Sequence, residues 1–185
     1  MDLSPLIAAL EASAVANAIR SSLYLFPLIE SVHVLGLTLV FGTILIVDLR
    51  LLGVASTRRP FSVVAADGLK WTWIAFAVAA TTGALMFVTN AGTYYHNAYF
   101  RAKMTLLVLS GLNVLVFDRT ARQSIVTWDE QPRAPRAGRI AATVSLTLWI
   151  SVIVLGRWVG FTTGSEPGAD EPDVNLEQLE ELIPK

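Results

Sequence analysis

Glu30 and His33 stand three residues apart inside the apolar stretch FPLIESVHVLGLTLVFGTILIVDLRLLG, residues 26–53. An ionisable group in hydrocarbon costs several kcal/mol, at order of magnitude, unless it is paired or watered, so the two need partners or a task. Spacing of three sets them on one helical face, and Gly36 continues that face. Arg101 and Lys103 open a later apolar stretch, and Arg157 lies near the end of the last one. His96 is seven residues before Lys103 and shares its face if that helix starts early enough. When the apolar stretches are stacked in one bilayer, these levels agree to within about ten Å at a rise of about 1.5 Å per residue.

Several chemistries suit such a set. A b-type haem needs an axial imidazole, small residues opposite the ring, and cations near the surface for its propionates. His33 and Gly36 would supply the first two, and Arg101, Lys103 and Arg157 the third; a second imidazole would have to be His96, since the chain has two His. Alternatively, Glu30 and His33 form a relay in a proton or small-solute transporter. In the third reading the cluster is structural: Glu30 pairs with Arg157 or Arg101, His33 bonds a neighbouring helix, and the protein is a structural or assembly subunit. No zinc-type His pair, glycine-rich phosphate loop or nucleophile elbow is present in the sequence. With no cysteine, disulfide, thiol and iron–sulfur chemistry are excluded.

The elements that must position these residues follow from hydropathy. Apolar residues are 54% of the chain, charged ones 16%, and mean hydropathy is +0.55, the balance of a polytopic membrane protein. Apolar segments at roughly 25–47, 71–89, 100–117 and 140–162 are each near the length of a helical span. Small residues run through all four, which favours close helix contact, and Asn113 is placed for an interhelical hydrogen bond. The expected fold is all-α: an integral membrane four-helix bundle over 23–162, preceded by an N-terminal amphipathic interfacial helix over 1–22 and followed by an acidic tail over 163–185. The N-terminal stretch opens with an acid and has no basic n-region, so it reads as mature protein.

Nine of the fourteen basic residues occupy two alternate loops: Arg50, Arg58, Arg59 and Lys70 in one, Arg119, Arg122, Arg133, Arg136 and Arg139 in the other. By the positive-inside rule these loops are cytoplasmic, and both termini and the Glu30–His33 level face the periplasm or exterior. The basic loops read as topological anchors and not as a nucleic-acid surface. Spans one and three end in a weak echo, ILIVDLR and VLVFDR, each an apolar run closed by Asp and Arg.

The stretch quoted above, together with NAYFRAKMTLLVLSGLNVLVFD and LGRWVGF, resembles a family of uncharacterised bacterial four-helix inner-membrane proteins classed as a domain of unknown function. The likeness covers about residues 22–162 and implies a multi-pass protein of the bacterial inner membrane. More distantly, a His in the first span and a Lys early in a later one is similar to the membrane protoporphyrinogen oxidase family, where His33 and Lys103 would be the matching positions, implying haem-linked redox chemistry. The copper-resistance D family is a further distant likeness, from which the chain departs in having three Met. The leading expectation is a haem-binding redox protein or redox-enzyme anchor, with the bilayer and a membrane or periplasmic redox protein as partners.

Overall fold

The computed structural model describes residues 3–120 and 122–163. The acidic tail expected over 163–185 lies, from residue 164 onward, outside them. Eight α-helices follow in order: α1 Ser4–Glu11, α2 Ala14–Ser21, α3 Leu25–Leu52, α4 Phe61–Thr89, α5 Ala91–His96, α6 Ala98–Arg119, α7 Ile125–Trp128 and α8 Arg136–Thr163. Four stretches, carrying α3, α4, α6 and α8, are long and apolar enough to cross a membrane. They form the expected bundle of a multi-pass membrane protein.

Small residues bring α3 against α4. A Cβ added at Gly36 would stand 3.3 Å from both the Cβ and the backbone N of Ala79, so this glycine is what permits the approach. α3 also lies against α8, and α8 against α6. Aromatic pairs bridge α4 and α6 at both ends: Phe61 to Phe117, with centroids 5.8 Å apart, and Phe87 stacked on Phe100 at 5.5 Å. Mid-bundle, Val40, Ala75, Trp149 and Val152 form an apolar cluster, sealed by Leu106 and Leu107. Asn113 makes the interhelical bond foreseen for it, donating from Nδ2 to the Ala141 carbonyl at 3.0 Å.

The helices overrun the apolar segments. α4 begins at Phe61, ten residues before the hydropathy boundary, because a helix continues past the hydrocarbon wherever Asp67 and Lys70 can reach water. α3 runs to Leu52 and stops at Gly53, whose φ of 74° is the left-handed conformation that glycine adopts freely. The Val54 amide then bonds back to the Leu49 carbonyl at 2.9 Å, the Schellman closure.

Arg50 therefore belongs to α3 and not to a loop, and it is fully buried. Its guanidinium donates to four backbone carbonyls: Arg59 at 2.9 Å, Asp129 and Gln131 at 3.0 Å each, and Pro132 at 3.4 Å. Both basic loops thus close on one side chain. Asp129 completes the knot by capping α4, its carboxylate accepting from the Ser62 amide and hydroxyl, each at 2.7 Å. Trp128 packs on Phe61 beside it, with ring centroids 5.1 Å apart. The echoed Asp–Arg exits are not equivalent, since Asp118 instead forms an exposed ion pair with Arg122 at 2.9 Å.

Where one surface helix is expected over 1–22, the described residues form two. Ser13 caps α2 by accepting from the Ala16 amide at 3.2 Å, which breaks the run. Ala16 and Ile19 are buried, so the pair is docked on the bundle. The Glu11 carboxylate accepts from the Gly92 amide at 2.8 Å, and Arg20 donates to the Thr89 carbonyl at 2.7 Å.

Candidate functional site

His33 projects from α3 onto α4. Its Nδ1 is 2.9 Å from the Ala79 carbonyl oxygen and 3.1 Å from Thr82 Oγ1. The Thr82 hydroxyl already donates to the Val78 carbonyl at 2.7 Å, so both groups facing Nδ1 are acceptors and Nδ1 carries the proton. In the neutral ring Nε2 then keeps its lone pair. Gly83 makes room for the ring: a Cβ there would stand 3.0 Å from His33 Cε1. Sequence reading missed Thr82 and Gly83 as His33 neighbours, although both lie within the small-residue run of span two.

Lys103 reaches in from α6 and is half-buried. Its Nζ would lie 3.6 Å from a Cβ at Gly156 of α8, so this glycine serves the ammonium as Gly83 serves the imidazole. Among the described residues, no carboxylate forms an ion pair with Lys103. The Lys103 ammonium and the Glu30 carboxylate both act electrostatically on the His33 ring. Glu30 also faces Tyr94 of α5: burial, and after it the Glu30 charge, pushes the Tyr94 phenol above its ordinary value. The site end of the bundle thus gathers Glu30, His33, Lys103 and Tyr94 from α3, α6 and α5.

Other expected members stand apart. Glu30 and Arg157 do not make the anticipated ion pair; both are exposed, and the Arg157 guanidinium lies 4.7 Å from the centroid of the Phe161 ring. Agreement in depth had suggested the pair, but depth fixes the level of a residue and not which way its helix face turns. Arg101 is exposed. His96 is exposed, donates from Nδ1 to the Gly92 carbonyl at 2.9 Å and meets the Tyr95 ring edge-on, contacts that stay within α5. Gly36, expected opposite a haem ring, is filled by Ala79.

Comparison with known proteins joins this geometry at one point. Residues 20–162 match a family of unknown function, DUF6644. The chain belongs to this family. The match takes in α3 through nearly all of α8, so the whole cluster of Glu30, His33, Tyr94 and Lys103 lies within the family's domain. No curated protein and no solved structure matches the chain. The family's function is unknown, so the chemistry of the cluster is what bears on the function of this chain.

The donor set can be tested against a haem. A ligating imidazole ordinarily gives its second N–H to a carbonyl or carboxylate, which fixes the tautomer and the ring plane. His33 has that arrangement, with Nδ1–H on Ala79 and the lone pair at Nε2. The unpaired ammonium of Lys103 suits a carboxylate brought by a ligand. On donor chemistry His33 and Lys103 fit; Gly36 contributes to helix packing and not to ring space.

Proposed function

We propose that this protein is a haem-binding membrane redox protein, or the membrane anchor of a redox enzyme, with His33 as axial ligand. The observation that carries the reading is the His33 hydrogen bond to the Ala79 carbonyl, which leaves Nε2 as a free Lewis base inside a membrane bundle. Lys103 would hold a propionate, and Arg101 and Arg157, exposed at the same end, would contribute positive potential. Bound haem would supply one-electron chemistry, exchanged with a membrane or periplasmic redox partner. Glu30 and Tyr94 set the local charge and polarity near the imidazole. The cellular setting that goes with this reading is the bacterial inner membrane, with both termini periplasmic.

The absorption spectrum of the purified protein, oxidised and dithionite-reduced, tests the proposal. Wild type should show a Soret band that His33→Ala abolishes while helicity by circular dichroism is retained. Lys103→Met should loosen haem retention less than loss of the imidazole, because a propionate contact is weaker than an axial bond. His96→Ala should leave the band unchanged if His33 is the ligand the protein relies on. A colourless wild-type protein, folded and expressed with ample haem supply, refutes the reading.

A further inference from the structure

The opposite end of the bundle carries a feature that the redox reading does not use. A groove of about 440 Å³ lies between the end of α3 and the start of α8, lined by Leu52, Arg136, Arg139, Ile140, Thr143 and Val144. We infer that this groove seats one anionic glycerophospholipid, its phosphate held by Arg136 and Arg139 and an acyl chain lying along Ile140 and Val144.

Arg136 and Arg139 are three apart on the first turn of α8 and point from one face. Both are exposed, and among the described residues neither is in an ion pair. Of the acids of this end, Asp67 pairs with Arg59 at 2.8 Å, Asp118 with Arg122 at 2.9 Å, Asp129 accepts from Ser62, Asp48 is buried against Ser145, and the exposed Glu130 is in no ion pair with either arginine. Among the described residues, neither guanidinium is matched by a carboxylate at ion-pair distance, and each carries the planar fork of donors that suits phosphate oxygens.

The apolar half follows from the same helix. Ile140 and Val144 are 55% and 41% exposed, one and two turns deeper into the bilayer than Arg136. From Arg136 to Val144 the rise is about 12 Å at 1.5 Å per residue, enough for a headgroup and the upper part of one acyl chain. Thr143 cannot serve as a phosphate donor, because its hydroxyl donates to the Arg139 carbonyl at 3.0 Å. Recognition therefore falls to the arginines. A zwitterionic lipid would bring its ammonium towards the same two cations, so the groove favours a headgroup of net negative charge.

Native mass spectrometry of the full chain in detergent, titrated with phosphatidylglycerol or phosphatidylcholine of matched acyl chains, tests this. Wild type should bind one phosphatidylglycerol at least tenfold more tightly than phosphatidylcholine, and the preference should shrink as salt rises. Arg136→Gln with Arg139→Gln should lower phosphatidylglycerol affinity by about thirtyfold, from about 1 kcal/mol per cation near a membrane surface. Arg59→Gln with Arg122→Gln, the same charge loss at the same end, should keep the preference. Equal binding of both lipids, a preference that survives the Arg136 and Arg139 changes, or one indifferent to salt overturns the proposal. So does complete displacement by millimolar inorganic phosphate, which would make the groove a phosphate site without a role for the acyl chain. The salt series needs only wild type, so the inference remains testable if the double variant fails to fold.

Discussion

Arg50→Met keeps an apolar stem of similar reach up to the guanidinium but removes the guanidinium that ties the two basic loops to α3. Four carbonyls lose a charged donor, and a hydrogen bond to a charged group contributes roughly 1.5–3 kcal/mol. The sum of four overstates the loss. The Pro132 contact is long at 3.4 Å, and Arg59, Gln131 and Pro132 lie on exposed segments whose carbonyls can turn to water. The cost of burying the guanidinium disappears with it as well. A net loss of about 2–4 kcal/mol remains, which for a chain of this length lowers the unfolding temperature in detergent by roughly 5–15 °C. Arg50→Lys should recover less than half, because one ammonium cannot reach carbonyls on two separate loops. Hydrogen exchange locates the effect. The Phe61 amide, 2.9 Å from the Asp129 carbonyl, and the Ala134 amide, 3.1 Å from that of Leu51, should exchange faster while mid-bundle amides keep their protection. An unfolding temperature within about 1 °C of wild type for Arg50→Met, or loss of protection spread evenly through the helices, would refute the clamp.

Two further outcomes are expected. Ser62, through its amide and hydroxyl, holds the Asp129 carboxyl below the ordinary value of 3.8, with Arg50 and the Phe61 amide adding and burial opposing. A carboxyl depressed in the folded state contributes fully above its unfolded value and loses that contribution as pH falls through the folded one, so Asp129→Asn should flatten the acid limb of a stability–pH curve below about pH 4 and lower stability at neutral pH. Reporters fused after Arg59 or Arg133 should register as cytoplasmic and one fused at Lys185 as periplasmic; the reverse pattern would overturn the orientation argued from the basic loops.

The four spans were legible because each is a local property: a run of apolar residues near the bilayer length, salted with Gly, Ala and Thr. Their ends were not, since Ser62, Asp67, Gly68 and Lys70 interrupt the apolar run ahead of Trp71, while the cap on the start of α4 comes from Asp129, 67 residues away. Arg50 shows the larger limit. By type and position it counts among loop cations, and its burial requires three chain segments to meet at one guanidinium, with partners up to 82 residues away. His33 and Lys103 stand out in the sequence because hydrocarbon penalises a polar group wherever it sits, a property of the single residue. What holds His33 could not be found that way, because Ala79 and Thr82 are 46 and 49 residues distant and offer only a carbonyl and a hydroxyl. Depth alone also misassigned Arg157, whose helix turns it towards Phe161.

The layer beneath the site also bears on the transport alternative. A proton relay needs hydrogen-bonding groups in sequence through the membrane. On α3 the next buried ionisable group beyond His33 is Asp48, whose carboxyl meets Ser145 of α8 and whose Oδ2 has no hydrogen-bond partner among the described residues. Fifteen residues of helix, about 22 Å, separate the two. Between them stands the cluster of Val40, Ala75, Trp149 and Val152, with Leu106 and Leu107 closing it. The Thr43 and Thr72 hydroxyls lie 2.8 Å apart, and each also reaches a carbonyl of its own helix, so their two protons are shared among these local contacts. A haem held at the site end, as proposed, would exchange its electron without crossing that layer, whereas a proton entering at Glu30 and His33 would meet it after two helical turns. The polar groups at the site end therefore favour chemistry completed on one side of the membrane over passage through it.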